Sequence, residues 1–228
     1  MKVLNLYSGI GGNRKLWDDV EVTAVEWDPK IAAIYQDFFP DDIMIITDAH
    51  SYLLEHFKEY DFIWSSPPCP THSRLRTLMH GQKKNNQEYK YPDMKLYEEI
   101  IFLDNWFDGL YCVENVIGYY DPLIKPQEIG RHYYWSNFII RDKNVLASRI
   151  KENTGYKDLQ NKLGFNLDKY GYPDKRKLLR NCVEPEVGKL ILDCARGNTQ
   201  LSLSDFRTKL SYRAESNTTE ESITDEKE

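Results

Sequence analysis

Short apolar runs alternate with amphipathic segments along the first half of the chain. Five runs fit buried strands, at residues 3–7, 22–25, 43–46, 62–65 and 110–113. The segments between them place apolar residues on one face, as helices do; the first is predicted to begin at residues 13–17, and Pro29 suits the first turn of the second. Strands that alternate with helices predict an α/β fold with a Rossmann-like, doubly wound, mostly parallel sheet.

The second half of the chain is less regular. A strand is predicted at residues 133–140 and a helix at residues 185–194, whereas residues 141–177 are polar and rich in Lys, Asn and Tyr. Residues 71–92 lack apolar periodicity and are predicted to form a long loop, which in compact domains is often functional. From about residue 211 the chain is mainly Ser, Thr and acidic residues, which cannot bury enough apolar surface to fold.

Composition limits the classes of protein that fit. The 228 residues are enough for one domain with a sizeable core. The chain has no apolar run long enough to cross a membrane, and its first residues lack the order of a signal peptide, so we expect an intracellular, cytoplasmic protein. The four cysteines form no Cys-x-x-Cys pair and the histidines lack zinc-ligand spacing, so we expect free thiols and no metal.

The charge is unevenly distributed. The net charge is −6, but residues 215–228 alone carry −5, so the rest of the chain is nearly neutral. Within that rest, residues 74–95 hold six basic against two acidic residues, and residues 169–189 hold six against three. Such stretches can bind phosphate locally, although a solvated lysine surface has the same composition. Charge alone therefore leaves nucleic-acid binding open.

Three short motifs carry the candidate chemistry. A glycine turn at residues 8–12 follows the first apolar run, a proline pair and Cys69 follow the fourth, and Glu114 and Asn115 follow the fifth. Because the carboxyl ends of parallel strands meet at one edge of a sheet, where ligands bind, we expect these groups to lie together. A thiol beside a carboxyl suggests a nucleophile with a proton-handling partner, and the glycine turn suggests a cofactor site.

In order and spacing, these motifs resemble those of the cytosine-C5 DNA methyltransferases. The resemblance covers roughly residues 1–120 and returns at residues 180–185. It implies a class I methyltransferase fold, S-adenosylmethionine as methyl donor, and DNA as partner, with the target cytosine flipped from a duplex or already single-stranded. We expect a monomer. The implied organisation is a methyltransferase domain at residues 1–134 and 178–212, a reduced target-recognition segment at 135–177 and a disordered acidic tail at 213–228.

The resemblance also assigns three catalytic roles. Cys69 would add to C6 of cytosine and make C5 nucleophilic. Glu114, if protonated, would donate to N3 and withdraw the resulting charge. Arg131, from a segment that is Gln-x-Arg-x-Arg in the family, would steady the flipped base. The chain departs from the family at Pro70, where a Gln is usual, and at Tyr133, which replaces the second arginine.

Cofactor and substrate contacts are implied in the same way. Glu26 would accept hydrogen bonds from the ribose, Trp27 would cover the adenine ring, and Asp48 would accept from its amino group. The other implied cofactor-binding residues are Tyr7, Gly9, Ile10, Gly11, Gly12, Pro67, Asn181 and Val183. The implied substrate-binding residues are Pro68, Asn115, Arg74, Arg76, Lys83 and Lys84.

Three other functions fit parts of the sequence. The same chemistry on RNA or on a free cytosine nucleotide would explain the short recognition segment. A non-catalytic binding module could keep this fold without turnover, although Cys69, Glu114 and the glycine turn are intact. A nicotinamide-dependent oxidoreductase would explain the glycine turn but would leave the cysteine and glutamate motifs unexplained.

Overall fold

The computed structural model of the protein describes residues 1–74, 90–141 and 154–199. Within them, one seven-stranded sheet has the order β3-β2-β1-β4-β5-β7-β6, and every strand pair is parallel except the two that β7 makes. The strands are β1 (Lys2–Leu6), β2 (Glu21–Glu26), β3 (Ile43–Ile46), β4 (Phe62–Ser65), β5 (Leu110–Val116), β6 (Gln127–Ile129) and β7 (His132–Ser136). The predicted Rossmann-like, mostly parallel α/β fold is confirmed.

Helices flank this sheet. They are α1 (Pro29–Phe38), α2 (Ala49–His56), α3 (Lys95–Trp106), α4 (Tyr156–Leu163), α5 (Lys175–Arg180) and α6 (Pro185–Thr199), with a 3₁₀ turn at Phe57–Glu59. Local signals set the start of α1, because Asp28 accepts the Lys30 N–H at 2.8 Å and Pro29 occupies the first turn. In the described ranges, no helix has the length and apolarity needed to cross a membrane.

The core lies on both faces of the central strands. On one face, Val3 and Trp64 are fully buried and belong to one apolar cluster with Ile191 of α6. On the other face, Leu4 and Ile63 are fully buried in a cluster that includes residues of α2 and α3. Strands covered on both faces read as continuous apolar runs, which explains why β1 and β4 were predicted from sequence.

A third apolar cluster joins the segment after residue 153 to α1. Phe165 packs edge-to-face against Phe38, with ring centroids 4.9 Å apart, and Leu159 and Leu163 of α4 are buried beside it. The sequence analysis did not predict α4 or α5. The division at residues 135–177 stays a prediction, and the acidic tail at residues 213–228 lies outside the described residues.

Three element predictions need correction. Residues 13–17 form turns rather than a helix, because tertiary contacts hold them: the Trp17 indole N–H donates to the Gly188 carbonyl at 3.0 Å, and the Asn13 amide donates to Asn5 at 2.8 Å. Pairing with β7 extends β5 beyond residue 113, and β7 itself ends well before residue 140.

Candidate active site

Cys69 lies in the loop that leaves the carboxyl end of β4. The Asn115 side-chain N–H donates to the Pro67 carbonyl at 2.9 Å, which fastens this loop to the end of the neighbouring strand β5. Beyond the cysteine, the backbone N–H groups of His72 and Ser73 donate to the Cys69 carbonyl at 3.0 and 3.1 Å and close a turn. The half-buried thiol is therefore held at the edge of the sheet.

The structure brings this thiol near the Glu114 carboxyl. Glu114 is buried on β5, adjacent to the strand that leads into Cys69. Burial, and secondly the Glu114 carboxyl, raise the pKa of the Cys69 thiol, while the charge of Lys177 opposes them. The two groups are thus close enough to interact electrostatically, as their positions after adjacent strands predict. In the free protein the raised pKa keeps Cys69 mainly protonated at neutral pH.

A histidine that the sequence analysis did not select lies close to Glu114. The antiparallel register pairs Glu114 with Tyr134 and Val116 with His132, so His132 and Glu114 share one face of the sheet. Nε2 of His132 lies 3.6 Å from Oε1 of Glu114. Arg131 lies at the turn between β6 and β7 and is exposed. The alternation of side chains between the two faces of β7 would predict that His132 lies near Glu114 only if the pairing register between β7 and β5 were known.

The glycine turn is tied to Glu26 at the end of β2. The Gly9 N–H donates to Oε2 of Glu26 at 3.0 Å, and Oε1 accepts the N–H groups of Trp27 and Asp28 at 3.0 and 3.1 Å. Burial raises the pKa of Glu26, and these bonds oppose the rise. Gly9 has φ +54°, and a Cβ built on it would meet nothing within 4 Å, so its open side faces free space.

The returning segment near residue 182 lies against the glycine turn, as the resemblance implies. A Cβ on Gly12 would lie 2.6 Å from both the Cys182 Cβ and the Val183 carbonyl, so only glycine permits this approach. The Ile10 and Val183 side chains are buried in the core, which leaves their backbone groups as the candidates for cofactor contact. Asn181 is exposed beside them at the end of α5.

A cavity opens between the strand ends and α3. Its lining residues are Tyr7, Asp48, Pro67, Pro68, His72, Asp93, Lys95 and Leu96. Asp48 also caps α2 by accepting the Ser51 N–H and hydroxyl, both at 2.8 Å, and these bonds lower the pKa of its carboxyl. Trp27 is 76% exposed, so its ring offers an open surface for stacking.

A buried carboxylate network that the sequence analysis missed lies beneath Tyr7. Glu99 of α3 accepts hydrogen bonds from the Tyr7 hydroxyl at 2.5 Å and the Ser65 hydroxyl at 2.6 Å, and its Oε1 lies 3.0 Å from Nδ1 of His50. Burial and the neighbouring carboxylate raise the pKa of Tyr7. In the sequence, the only indication that Glu99 points inward is that apolar residues of α3 flank it.

These features fit S-adenosylmethionine, which has both charged and apolar parts. The Ser8 hydroxyl in the glycine turn is buried and has no hydrogen-bond partner in the described part of the chain. The open side of Gly9, the ionised Asp48 and the exposed ring of Trp27 add space, charge and a stacking surface. Within residues 1–74, 90–141 and 154–199, no group of His, Cys, Asp or Glu side chains is arranged to hold a metal ion.

The predicted phosphate contacts are only partly described. Arg74 is exposed, and its Nε donates to the Gly118 carbonyl at 2.9 Å, which joins the start of the loop to the segment after β5. Arg76, Lys83 and Lys84 lie outside the described residues. The second basic stretch found in the sequence, residues 169–189, contains α5, in which four of six residues are basic. Burial raises the pKa of the Cys69 thiol, and the charge of Lys177 in this helix opposes that rise.

Comparison with known proteins supports the family resemblance. Residues 1–101 match the family described as C-5 cytosine-specific DNA methylase. No curated protein sequence matches the chain.

Several solved structures are similar over part of the chain. A putative methyltransferase of Escherichia coli is 15% identical, covering 59% of this chain and 73% of its own, with a TM-score of 0.39. A DNMT2 variant from Spodoptera frugiperda is 27% identical over 50% of this chain and 35% of its own, with a TM-score of 0.34. A putative DNA modification methyltransferase from an E. coli prophage is 19% identical over 70% and 54%, with a TM-score of 0.42. The match over residues 1–101 confirms the predicted resemblance to the cytosine-C5 DNA methyltransferases over that part of the chain.

Proposed function

We propose that this protein transfers a methyl group from S-adenosylmethionine to C5 of cytosine in DNA. The observation that carries the proposal is the bond from Asn115 to the Pro67 carbonyl, which holds Cys69 beside Glu114 at the ends of adjacent strands. When bound, the cofactor supplies an electrophilic methyl group. The glycine turn, Glu26, Trp27 and Asp48 hold it next to these two residues, with Tyr7 and Pro67 in the wall of the same site.

The reaction begins at Cys69. Its thiol loses a proton to solvent, and the sulfur bonds to C6 of cytosine. When Glu114 carries a proton, it donates that proton to N3 and so takes up the charge that addition creates. C5 then has enamine character and accepts the methyl group. Loss of the C5 proton to solvent breaks the C6–S bond, N3 returns its proton to Glu114, and the released thiolate is reprotonated. The nearby Lys177 favours the thiolate form of Cys69.

Two features support DNA as the substrate. Four of the six residues of α5 are basic, the charge of one of them, Lys177, acts on the Cys69 thiol, and Arg74 is exposed five residues beyond Cys69; such side chains suit a phosphate backbone. A base must leave the duplex to reach a thiol in a cavity, at a cost of a few kcal/mol. Asn115 and Pro68 flank the thiol and are our candidates for contact with the extruded base.

One observation favours a second substrate. Between β7 and α5 the described residues from 154 onward pack against α1 through Phe165, so this segment offers little surface for reading a major groove. RNA, or a cytosine nucleotide, would need no such surface.

A labelled-methyl transfer assay with separate substrates tests the proposal. Duplex DNA, single-stranded DNA, tRNA and dCMP are each incubated with the protein and methyl-labelled S-adenosylmethionine, and 5-methylcytosine is quantified. We expect label in DNA. Label in tRNA or dCMP alone would overturn the choice of DNA but keep the chemistry, and no label in any substrate would overturn the proposed function.

Trapping tests the covalent step. An oligonucleotide with 5-fluorocytosine cannot lose its C5 substituent as a proton, so the Cys69 adduct should persist. We expect a stable adduct with the unmodified protein and with Cys194→Ser, a matched variant of a half-buried thiol elsewhere, and none with Cys69→Ser. Methyl transfer by Cys69→Ser at the normal rate would remove this residue from the mechanism.

A further inference from the structure

His72 joins the nucleophile loop to the segment after β5. It lies three residues beyond Cys69, to whose carbonyl its backbone N–H donates at 3.0 Å, and its own carbonyl accepts the Tyr119 N–H at 3.2 Å. The ring is also held, because Nδ1 lies 2.6 Å from the Tyr120 hydroxyl. The residue is 2% exposed. The position of His72 is therefore fixed by its backbone, which bonds to Cys69 and Tyr119, and by its ring, which contacts Tyr120.

The other ring nitrogen of His72 lacks a hydrogen bond of normal geometry, although the Asp93 backbone is close enough to affect the pKa of the ring. Nε2 is buried and has no hydrogen-bond partner among the residues that the structure describes. Leaving a buried polar atom unpaired is unfavourable, so native proteins rarely keep one without a ligand, water or functional reason. The catalytic steps proposed above do not use this atom.

The surroundings of the ring indicate what Nε2 faces. His72 lines the first cavity together with Asp48 and Pro67, and it also lines a second, aromatic cavity that includes Tyr120. Because Nδ1 is engaged by Tyr120, which lines only the second cavity, Nε2 is left for the first. Asp48 is the residue assigned to the adenine amino group, so this part of the cavity suits the adenine end of the cofactor.

We propose that His72 is a further cofactor-binding residue, whose Nε2–H donates a hydrogen bond to a ring nitrogen of the adenine of S-adenosylmethionine. This inference rests on the proposed function. Burial lowers the pKa of His72, so the ring is neutral and carries one proton at neutral pH. With the Tyr120 hydroxyl donating to Nδ1, that proton is on Nε2, and adenine ring nitrogens are acceptors.

A consequence is that cofactor binding is linked to the nucleophile. The residue that receives the adenine is the same one whose backbone closes the turn after Cys69. A ligand held by Nε2 therefore stabilises the turn that positions the thiol, and loss of that bond weakens both.

Calorimetric titration with S-adenosylhomocysteine, the unreactive product, tests this inference. Two substitutions separate the ring nitrogens, because a glutamine amide reaches the Nε2 position whereas an asparagine amide reaches only the Nδ1 position. We expect His72→Asn to weaken binding about tenfold, equivalent to about 1.4 kcal/mol, the scale of one hydrogen bond. His72→Gln should bind nearly as tightly as the unmodified protein, because its amide N–H can replace the Nε2–H of the ring.

The outcomes separate this inference from the proposed function. Binding is measured at a temperature at which thermal unfolding shows every variant to be folded, so a purely structural effect appears as a lower melting temperature with unchanged affinity. Equal affinity of His72→Asn and the unmodified protein, or an equal loss in His72→Gln and His72→Asn, overturns the role of Nε2. If the unmodified protein fails to bind S-adenosylhomocysteine, the proposed function itself fails.

Discussion

Nε2 of His132 lies 3.6 Å from Oε1 of Glu114, on the same face of the sheet. The Glu114 side chain is 10% exposed and the His132 side chain 32%, so the histidine is the more accessible of the two. An imidazole in this position can orient the carboxyl that we assign to cytosine N3. The family resemblance assigns the neighbouring Arg131 to this part of the site, and the two residues can be tested against each other.

We expect His132→Gln to lower kcat about tenfold, or about 1.4 kcal/mol of transition-state stabilisation, while leaving the affinity for S-adenosylhomocysteine unchanged. The reason is that Glu114 loses a partner that fixes its orientation. His132→Arg should restore much of the rate, because a guanidinium can also contact the carboxyl. The measurement is single-turnover methyl transfer together with calorimetry. Arg131→Ala is the comparison, and a large loss there with little effect of His132→Gln would return the role to Arg131.

Trp27 provides a test of cofactor stacking that leaves the fold intact. Because its ring is 76% exposed, Trp27→Ala should change the free energy of unfolding by less than about 0.5 kcal/mol. The affinity for S-adenosylhomocysteine should fall by about 1–3 kcal/mol, the usual value of one base–aromatic stack. Trp106→Ala is the matched control, since Trp106 is 69% exposed at the end of α3. Equal affinities of the two variants would contradict the stacking role.

Gly12 should be intolerant of any side chain. Gly12→Ala places a methyl group 2.6 Å from the Cys182 Cβ and the Val183 carbonyl, and separating these segments should cost about 1–3 kcal/mol of stability. Urea unfolding measures the loss. Gly171→Ala is the control, because a Cβ there meets nothing within 4 Å and should change stability by less than about 0.5 kcal/mol. Unfolding midpoints that agree for both variants would show that residues 182 and 183 move aside.

Folding stability should depend on pH through His50. Its hydrogen bond with Glu99, 3.0 Å from Nδ1, raises the pKa of His50 in the folded state, although burial and Lys95 oppose this; Glu98 contributes in the same direction as Glu99. The unfolded value is about 6.5. A raised folded pKa means that the protonated form stabilises the native state: the contribution is complete below the unfolded pKa and is lost as the pH rises through the folded one.

His50→Gln should therefore lower the free energy of unfolding more at about pH 6 than at about pH 9, as measured by urea titration at each pH. In a Glu99→Gln background this pH-dependent difference should become smaller, because the largest contribution to the raised pKa of His50 is gone. A loss that is the same at both pH values in the unmodified background would show that His50 does not bind its extra proton on folding.

Elements with strong local signals could be predicted from the sequence. The bounds of α1 agree with prediction because Asp28 and Pro29 mark its start, and β3 and β4 agree because their apolar runs end abruptly. The end of β5 was placed too early, since polar Glu114 and Asn115 look like loop residues until β7 pairs with them.

Other features depend on contacts between distant residues. In α4 the apolar residues are sparse among Lys, Asn and Gln, and Leu159 is buried only because α1 supplies a partner surface far away in the chain. The inward position of Glu99 depends on Tyr7, 92 residues away. The sequence around His72 and His132 likewise does not indicate their positions. The register between β5 and β7 brings His132 to Glu114, and the turn after Cys69 brings His72 to the cavity.

The hydrogen bond from the Trp17 indole to the Gly188 carbonyl has a consequence for protein synthesis, because 171 positions separate the two residues. At translation rates of about 5–20 residues per second, the bond partner of Trp17 is made roughly ten to thirty seconds after Trp17 itself. During most of that interval, Gly12 of the glycine turn also lacks its contacts with residues 182 and 183, which have not yet been synthesised. The glycine turn is translated early but is among the last parts of the site to be completed. Until α6 has been made, the nearby Trp17 ring lacks its hydrogen-bond partner.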